Sequence, residues 1–238
     1  MSKNNADIVI LGAGVIGTSI AFQLAQRGAG RIILLDRDVV AAGGSGRSSA
    51  LIRMHYSFPP EVELALRSLE IFNHWEELVE RPQHFRRVGF VRLVPEAEVG
   101  CLQAQVDMQR SLGANVELIG PGDLAQIEPD WKIDDVALAA YEPDSGYGDG
   151  AVVAGDFLSR AREMGVEYRP HTTATALCVE GDRICSVETD DGNIETPVVV
   201  SAIGPWTRPL LNSLRMDLPI EPEYHQVAVL QNPPGMKA

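Results

Sequence analysis

Three glycines at fixed spacing are the strongest chemical signal in this chain. Gly12-Ala13-Gly14-Val15-Ile16-Gly17 follows the apolar run Asp7-Ile8-Val9-Ile10-Leu11 and precedes a helical stretch to Arg27. At such a strand-to-helix junction, Gly12 permits the tight turn and Gly14 lets backbone N–H groups approach a pyrophosphate. Gly17 lets the helix pack closely on the strand. The helix N-terminus, with its unpaired N–H groups and partial positive charge, holds the anion. Asp36 closes the next apolar run, 19 residues after Gly17. A carboxylate there accepts hydrogen bonds from an adenosine ribose. The arrangement points to a dinucleotide site, but it does not separate NAD from FAD.

The elements needed to position these residues are legible around them. Continuous apolarity over Ile8–Leu11 suits a parallel strand buried on both faces. Ile16, Ile20 and Leu24 recur every four residues and predict the buried stripe of the following helix. Gly28 stands where a helix C-terminal glycine belongs, and Arg31–Asp36 reads as a second buried strand. Strand, helix and strand form one βαβ unit. Residues 41–49 are small and polar, a loop whose backbone can approach a ligand closely. Pro59-Pro60-Glu61 opens a helix to about Glu80, with Val62, Ala65, Leu66, Leu69, Phe72, Trp75 and Val79 on one face. Strands are expected at 88–94, 115–119, 166–168, 174–179, 184–189 and 197–201, and helices at 96–112, 121–127 and 155–164. Asp190–Asn193 reads as a hairpin turn. The predicted organisation is discontinuous: residues 1–80 and 150–215 in one domain, 81–149 and 216–238 in another.

Composition narrows the function. The formal net charge is −13, with 33 acidic against 20 basic residues. Such a chain repels nucleic acid and anionic membranes. The three cysteines, Cys101, Cys178 and Cys185, form no C-x-x-C pair, and small buried hydrophobes in a reducing cytoplasm are expected. None of the five histidines has a partner at metal-ligand spacing, so no metal site is expected. Ile8–Gln26 runs 19 residues without a charge. Its glycine-split halves favour a buried βα unit over a membrane span.

Val198-Val199-Val200-Ser201-Ala202-Ile203-Gly204-Pro205-Trp206 adds a second apolar strand running into a glycine turn. Together with the fingerprint, the 43–49 loop and Glu142-Pro143-Asp144-Ser145-Gly146-Tyr147, it resembles the amine-oxidising flavoproteins of the D-amino-acid oxidase, glycine oxidase and sarcosine oxidase family. Asp36-Arg37 is similar to the acidic-basic pair that follows that family's second strand, and Gly44-Ser45-Gly46-Arg47-Ser48-Ser49 to its flavin-contacting loop. Leu51-Ile52-Arg53-Met54-His55-Tyr56 resembles a segment of the sarcosine oxidase branch. Ala202-x-Gly204-Pro205-Trp206 looks like the second flavin contact, and Ala174 falls where a backbone group meets the adenine. Leu218–Pro222 with Gln226-Val227 resembles the start of the substrate-domain sheet.

The resemblance implies an α/β fold, a Rossmann-like FAD-binding domain with an inserted, incomplete α+β substrate domain. It implies non-covalent FAD held by Gly12, Ala13, Gly14, Val15, Ile16, Gly17, Asp36, Arg37, Gly44, Ser45, Arg47, Ser48, Ser49, Ala174, Ala202, Gly204 and Trp206. The implied reaction is oxidation of the C–N bond of a small amine or amino acid, with hydride passing to the flavin. Arg53 could meet flavin or substrate oxygens, or an acidic partner. For His55, beside it, a structural role is favoured over catalysis. By the family's measure the chain stops in mid-fold, so self-association or a completing partner chain is expected. The rival readings are a non-catalytic FAD-binding fragment or subunit and an NAD-dependent dehydrogenase.

Overall fold

The computed structural model describes residues 4–212, 214–223 and 226. The first third of the chain runs β1 (Ile8–Leu11), α1 (Val15–Gln26), β2 (Ile32–Leu35), β3 (Leu51–Ile52), α2 (Pro59–Asn73) and α3 (Trp75–Leu78). The middle runs β4 (Arg86–Arg87), β5 (Phe90–Val94), α4 (Val99–Ser111), β6 (Glu117–Ile119), α5 (Pro121–Ile127), β7 (Leu138–Glu142) and β8 (Gly146–Tyr147). Then follow α6 (Gly150–Glu163), β9 (Glu167–Arg169), β10 (Ala174–Glu180), β11 (Arg183–Thr189), β12 (Gly192–Glu195), β13 (Val199–Ser201) and α7 (Thr207–Asn212).

The chain divides into two compact units. One joins the chain up to Ser49 with the chain from Gly150, and the other is Ala50–Asp149. This differs from the sequence expectation over residues 50–80, which fall in the second unit. There Val62 and Leu69 of α2 pack with Val94, Leu102 and Val106, so the helix shares the core of β5 and α4. The described residues beyond 215 fall in the first unit rather than the second. Of the expected substrate-sheet segment Gln226-Val227, only Gln226 is among the described residues.

In the first unit, β13, β1, β2 and β9 form a parallel sheet in that order. Ile32, Ile33, Leu34 and Leu35 are all buried, as a strand covered on both faces requires. Val9, Leu11, Ile33 and Leu35 pack on Leu177, Val187 and Ile194 of the antiparallel meander β10-β11-β12. The helices α1 and α6 pack together, with Phe22 and Phe157 5.3 Å apart between ring centroids.

The expected stripe of α1 is corrected here. Its buried residues are Gly17, Thr18, Ala21 and Phe22, and Ile16 is 63% exposed. Small residues decide the face because they let the helix axis approach the strands. Thr18 joins them because its hydroxyl is satisfied by the Gly14 carbonyl at 3.1 Å. The cysteine expectation is corrected as well. Cys101 is exposed, and Cys178 and Cys185 are half-buried. A small side chain on the outer face of α4 or the meander carries too little apolar area to demand the core. In the second unit, β7 lies between β5 and β6 in an antiparallel sheet, and β8 lies between β3 and β4. No helix among the described residues is long and apolar enough to cross a membrane.

Candidate functional site

The turn from β1 into α1 is shaped by contacts that exclude side chains. Gly12 has φ +98°, and a Cβ there would lie 2.6 Å from the Ala202 carbonyl oxygen. A Cβ on Gly17 would stand 1.8 Å from the Gly12 carbonyl oxygen. The two glycines let the strand, the turn and the first helical turn collapse onto one another and onto the end of β13. Gly14 differs. Its backbone is extended, and its Cβ would meet only the Ser45 hydroxyl, at 3.1 Å. The face above Gly14 is thus open apart from one movable side-chain atom.

The helix that starts there spans 12 residues, has no acidic residue in its first turn, and gets no side-chain cap from Gly14. Ser45 Oγ accepts the Val15 N–H at 2.9 Å. With no carboxylate in that turn, its partial positive charge stays available to an external anion.

Asp36, at the end of β2, braces the turn from the side. One carboxylate oxygen accepts the Ala13 N–H at 2.6 Å, and the other accepts the Asp38 N–H at 2.9 Å. Its backbone carbonyl accepts the Thr172 N–H at 2.8 Å. Ala174, two residues further on, opens β10, a strand of the meander, and packs against that core. Next to Asp36, the Arg37 guanidinium carbon lies 4.2 Å from the centroid of the Trp206 ring. Two predicted segments, Asp36-Arg37 and Gly204–Trp206, thereby meet.

The loop carrying Gly44, Ser45 and Arg47 forms a short 3-10 turn over Ser45–Arg47. It is anchored at Ala41, whose N–H donates to the Ala13 carbonyl at 3.0 Å and whose carbonyl accepts the Gly46 N–H at 2.9 Å. Ala41 adopts φ +59° to do so. Gly150 at the start of α6 packs so closely that a Cβ would stand 2.3 Å from the Ser45 carbonyl. Arg47, Ser48 and Ser49 are exposed at the end of this loop. The structure therefore gathers Gly12–Gly17, Asp36, Arg37, the 43–47 loop and Ala202–Trp206 around one end of the parallel sheet.

Arg53 and His55 lie in the other unit. The Arg53 guanidinium carbon sits 5.5 Å from the Tyr56 ring centroid and 5.2 Å from that of Phe90. No ion pair ties it to an acid among the described residues, so the acidic-partner reading of Arg53 is replaced by aromatic stacking. His55 is 9% exposed, near Glu142 and Gln109.

A hollow of about 700 Å³ lies on the first unit between α6 and β9, beside Leu158, Arg162, Glu167 and Tyr168. It includes none of the predicted site residues. Burial, with the charges of Asp36 and Asp38, pushes the Tyr168 hydroxyl above the usual tyrosine range.

The model of the family described as FAD dependent oxidoreductase matches residues 7–238. The chain belongs to that family. Rat mitochondrial dimethylglycine dehydrogenase is 25% identical over 237 residues, covering 99% of this chain and 28% of that protein. Monomeric sarcosine oxidase from a Bacillus species is 27% identical over 227 residues, covering 93% of this chain and 56% of that protein. The L-proline dehydrogenase structure from P. horikoshii superposes with a TM-score of 0.84 at 25% identity, covering 90% of this chain and 57% of that one. The chain thus spans from about a quarter to a little over half the length of these relatives. In an FAD-dependent oxidoreductase, a cradle of close-packed glycines beside a helix N-terminus suits a diphosphate, and the collapsed 12–17 turn fits the cofactor of the family.

Sequence reasoning missed several residues that shape this flavoprotein. Ala41 carries no signal, because nothing in an alanine reveals a left-handed backbone. Thr172 is equally silent. Glu142 and Ser145 lie in the 142–147 segment that carries the resemblance, but no role is read for them in the sequence, because Met54 and His55, which Glu142 faces, are far away in it. Gln109, beside His55, is legible only in three dimensions.

Proposed function

We propose that this chain is the FAD-holding portion of an oxidoreductase acting on the C–N bond of a small amine or amino acid. The reading is carried by one observation, the collapsed turn at Gly12–Gly17 braced by Asp36 and open above Gly14. Gly14 and the first turn of α1 hold the pyrophosphate through backbone N–H groups, with Ala13, Val15 and Ile16 forming the walls. Asp36 has lone pairs left after bonding Ala13 and Asp38, and it accepts the ribose hydroxyls. Ala174 meets the adenine. Arg37 and Trp206, stacked on each other, close one side, and Gly44, Ser45, Arg47, Ser48, Ser49, Ala202 and Gly204 meet the rest of the cofactor. Bound flavin supplies the capacity to accept a hydride.

This chain's residues then have binding and orienting tasks. Arg53, free of acidic partners among the described residues, offers its guanidinium to an oxygen of the substrate. His55 stays behind it as a buried supporting group. The substrate is a small amine or amino acid, in keeping with relatives named for dimethylglycine, sarcosine and proline. The purified chain should be yellow, or should quench added FAD fluorescence at low micromolar concentration. Sarcosine, dimethylglycine or L-proline added without oxygen should bleach the flavin of the protein with its complete site. Colourless protein that leaves FAD fluorescence unchanged overturns the proposal. The same result would reopen the nicotinamide reading, which shares the glycine fingerprint.

A further inference from the structure

A buried polar cluster lies wholly within the unit Ala50–Asp149. Glu142, the last residue of β7, is 1% exposed. Its Oε2 accepts the Met54 N–H at 2.8 Å and the Ser145 hydroxyl at 2.6 Å. Its Oε1 has no hydrogen-bond partner among the described residues and stands 3.6 Å from His55 Nδ1. Gln109 of α4, fully buried, donates from Nε2 to the Tyr56 carbonyl at 3.1 Å and lies 3.3 Å from the same His55 Nδ1. His55 Nε2 and Gln109 Oε1 are buried without hydrogen-bond partners among the described residues.

His55 Nδ1 therefore sits between an acceptor and a donor, and its protonation can satisfy only one. The Gln109 amide cannot be reversed without facing its oxygen to the Tyr56 carbonyl, so the competition is real. If Nδ1 is bare, its lone pair faces a buried carboxylate oxygen that lacks any other donor. If Nδ1 carries the proton, that oxygen gains an electrostatic attraction across 3.6 Å, a separation longer than a hydrogen bond but with no other donor among the described residues competing for it. Gln109 loses less, because its nitrogen still donates to Tyr56. A buried carboxylate with both hydrogen bonds on one oxygen has the larger need.

We propose that Glu142 is a positioning residue that holds the His55 proton on Nδ1, leaving Nε2 as a buried lone pair. The same carboxylate pins the Met54 N–H, and Gln109 pins the Tyr56 carbonyl, so the backbone between Arg53 and Tyr56 is held on both sides. The Arg53 guanidinium and the His55 imidazole then flank one ring, Phe90, at 5.2 and 6.0 Å from its centroid. This deepens the amine-oxidoreductase reading by fixing the backbone that carries Arg53, and rests on it only for the use made of that guanidinium. The proton position itself is independent of that reading.

The test is long-range 15N–1H correlation of the imidazole nitrogens in the full 238-residue chain, without added FAD. It is run at about pH 9, where an ordinary imidazole is uncharged. Loss of a signal in His55→Gln assigns His55 among the five histidines. The proposal expects Nδ1 protonated in the parent, and Glu142→Gln should move the proton to Nε2. A bare Nδ1 in the parent overturns it, and so does an unchanged tautomer in Glu142→Gln. Should Glu142→Gln not fold, the tautomer of the parent still decides: Nδ1–H supports the proposal, and Nε2–H, the tautomer that the Gln109 donor would select, overturns it. Failure of FAD to bind would strike the cofactor reading and leave every one of these outcomes readable.

Discussion

Gly14 and Gly17 belong to one fingerprint but should fail in opposite ways when each is changed to alanine. At Gly17 the new Cβ would stand 1.8 Å from the Gly12 carbonyl oxygen, a backbone atom with nowhere to go. The first turn of α1 must move off the strand, and overpacking of this kind costs about 1–3 kcal/mol or more. At Gly14 the backbone is extended, a conformation any residue adopts, and the Cβ meets only Ser45 Oγ at 3.1 Å. That hydroxyl can rotate, at the expense of its bond from the Val15 N–H, which is worth about 0.5–1.5 kcal/mol. Gly14→Ala should therefore fold nearly as well as the parent. Its methyl group nevertheless occupies the face on which a pyrophosphate must rest. Weakening one charge-assisted hydrogen bond costs about 1.5–3 kcal/mol, or roughly a 10- to 100-fold rise in Kd for FAD. Thermal unfolding and FAD-fluorescence quenching, measured side by side, separate the two effects. A folded Gly14→Ala protein with the parent's FAD affinity would refute the cradle as read here. So would a Gly17→Ala protein with an unchanged Tm.

Three further outcomes are expected. Asp36→Ala leaves the Ala13 and Asp38 N–H groups without their acceptor and should cost about 1–3 kcal/mol of stability. It should weaken FAD more than riboflavin, and equal losses for the two would move Asp36 away from the ribose. Arg37→Gln removes the cation over Trp206, an exposed contact worth about 0.5–1 kcal/mol. The emission assigned to Trp206 by comparison with Trp206→Phe should change with little loss of Tm, and unchanged emission would contradict the stack. Glu167 is pushed up by burial, but hydrogen bonds and charge from Arg169 and Arg31 pull it further down, so its carboxyl lies below the ordinary glutamate value. Its stabilising effect is then complete above the unfolded-state value and is lost as pH falls through the folded one. Because the pair with Arg31 is about 40% exposed, the gain is about 0–1 kcal/mol. Glu167→Gln should flatten the acid limb of a stability–pH curve by that amount, and an unchanged limb would show the ion pairs to be inert.

What the sequence made legible follows from locality. The βα turn, Asp36 and the 198–206 strand could be read because each depends on neighbours within a few residues and on a fixed periodicity. The buried face of α1 could not. Its four-residue recurrence of Ile16, Ile20 and Leu24 is the stronger apolar signal, yet small volume won over apolarity once α6 and the strands closed in. The central strand β7 escaped for a related reason. Leu138-Ala139-Ala140-Tyr141-Glu142 has two alanines where strands favour β-branched residues, and it ends in a glutamate that the pattern would send to solvent. Alanine fits because Ala139 and Ala140 are fully buried in the middle of the sheet. Glu142 is tolerated because its Oε2 accepts the Met54 N–H, from far away in the chain, and the Ser145 hydroxyl, three residues on.

Asp36 shows how far a motif reading can go astray even when it finds the right residue. A carboxylate at the end of the second strand can be explained wholly by a ligand, or wholly as a solvated strand end. In the structure it does a third thing, tying the Ala13 N–H in the middle of the glycine turn to the end of β2. The same oxygens that would meet a ribose hold the pyrophosphate cradle in shape. Loss of nucleotide affinity on mutating Asp36 therefore mixes a removed contact with a loosened turn. Only the difference between FAD and riboflavin, set against the change in Tm, can apportion the two.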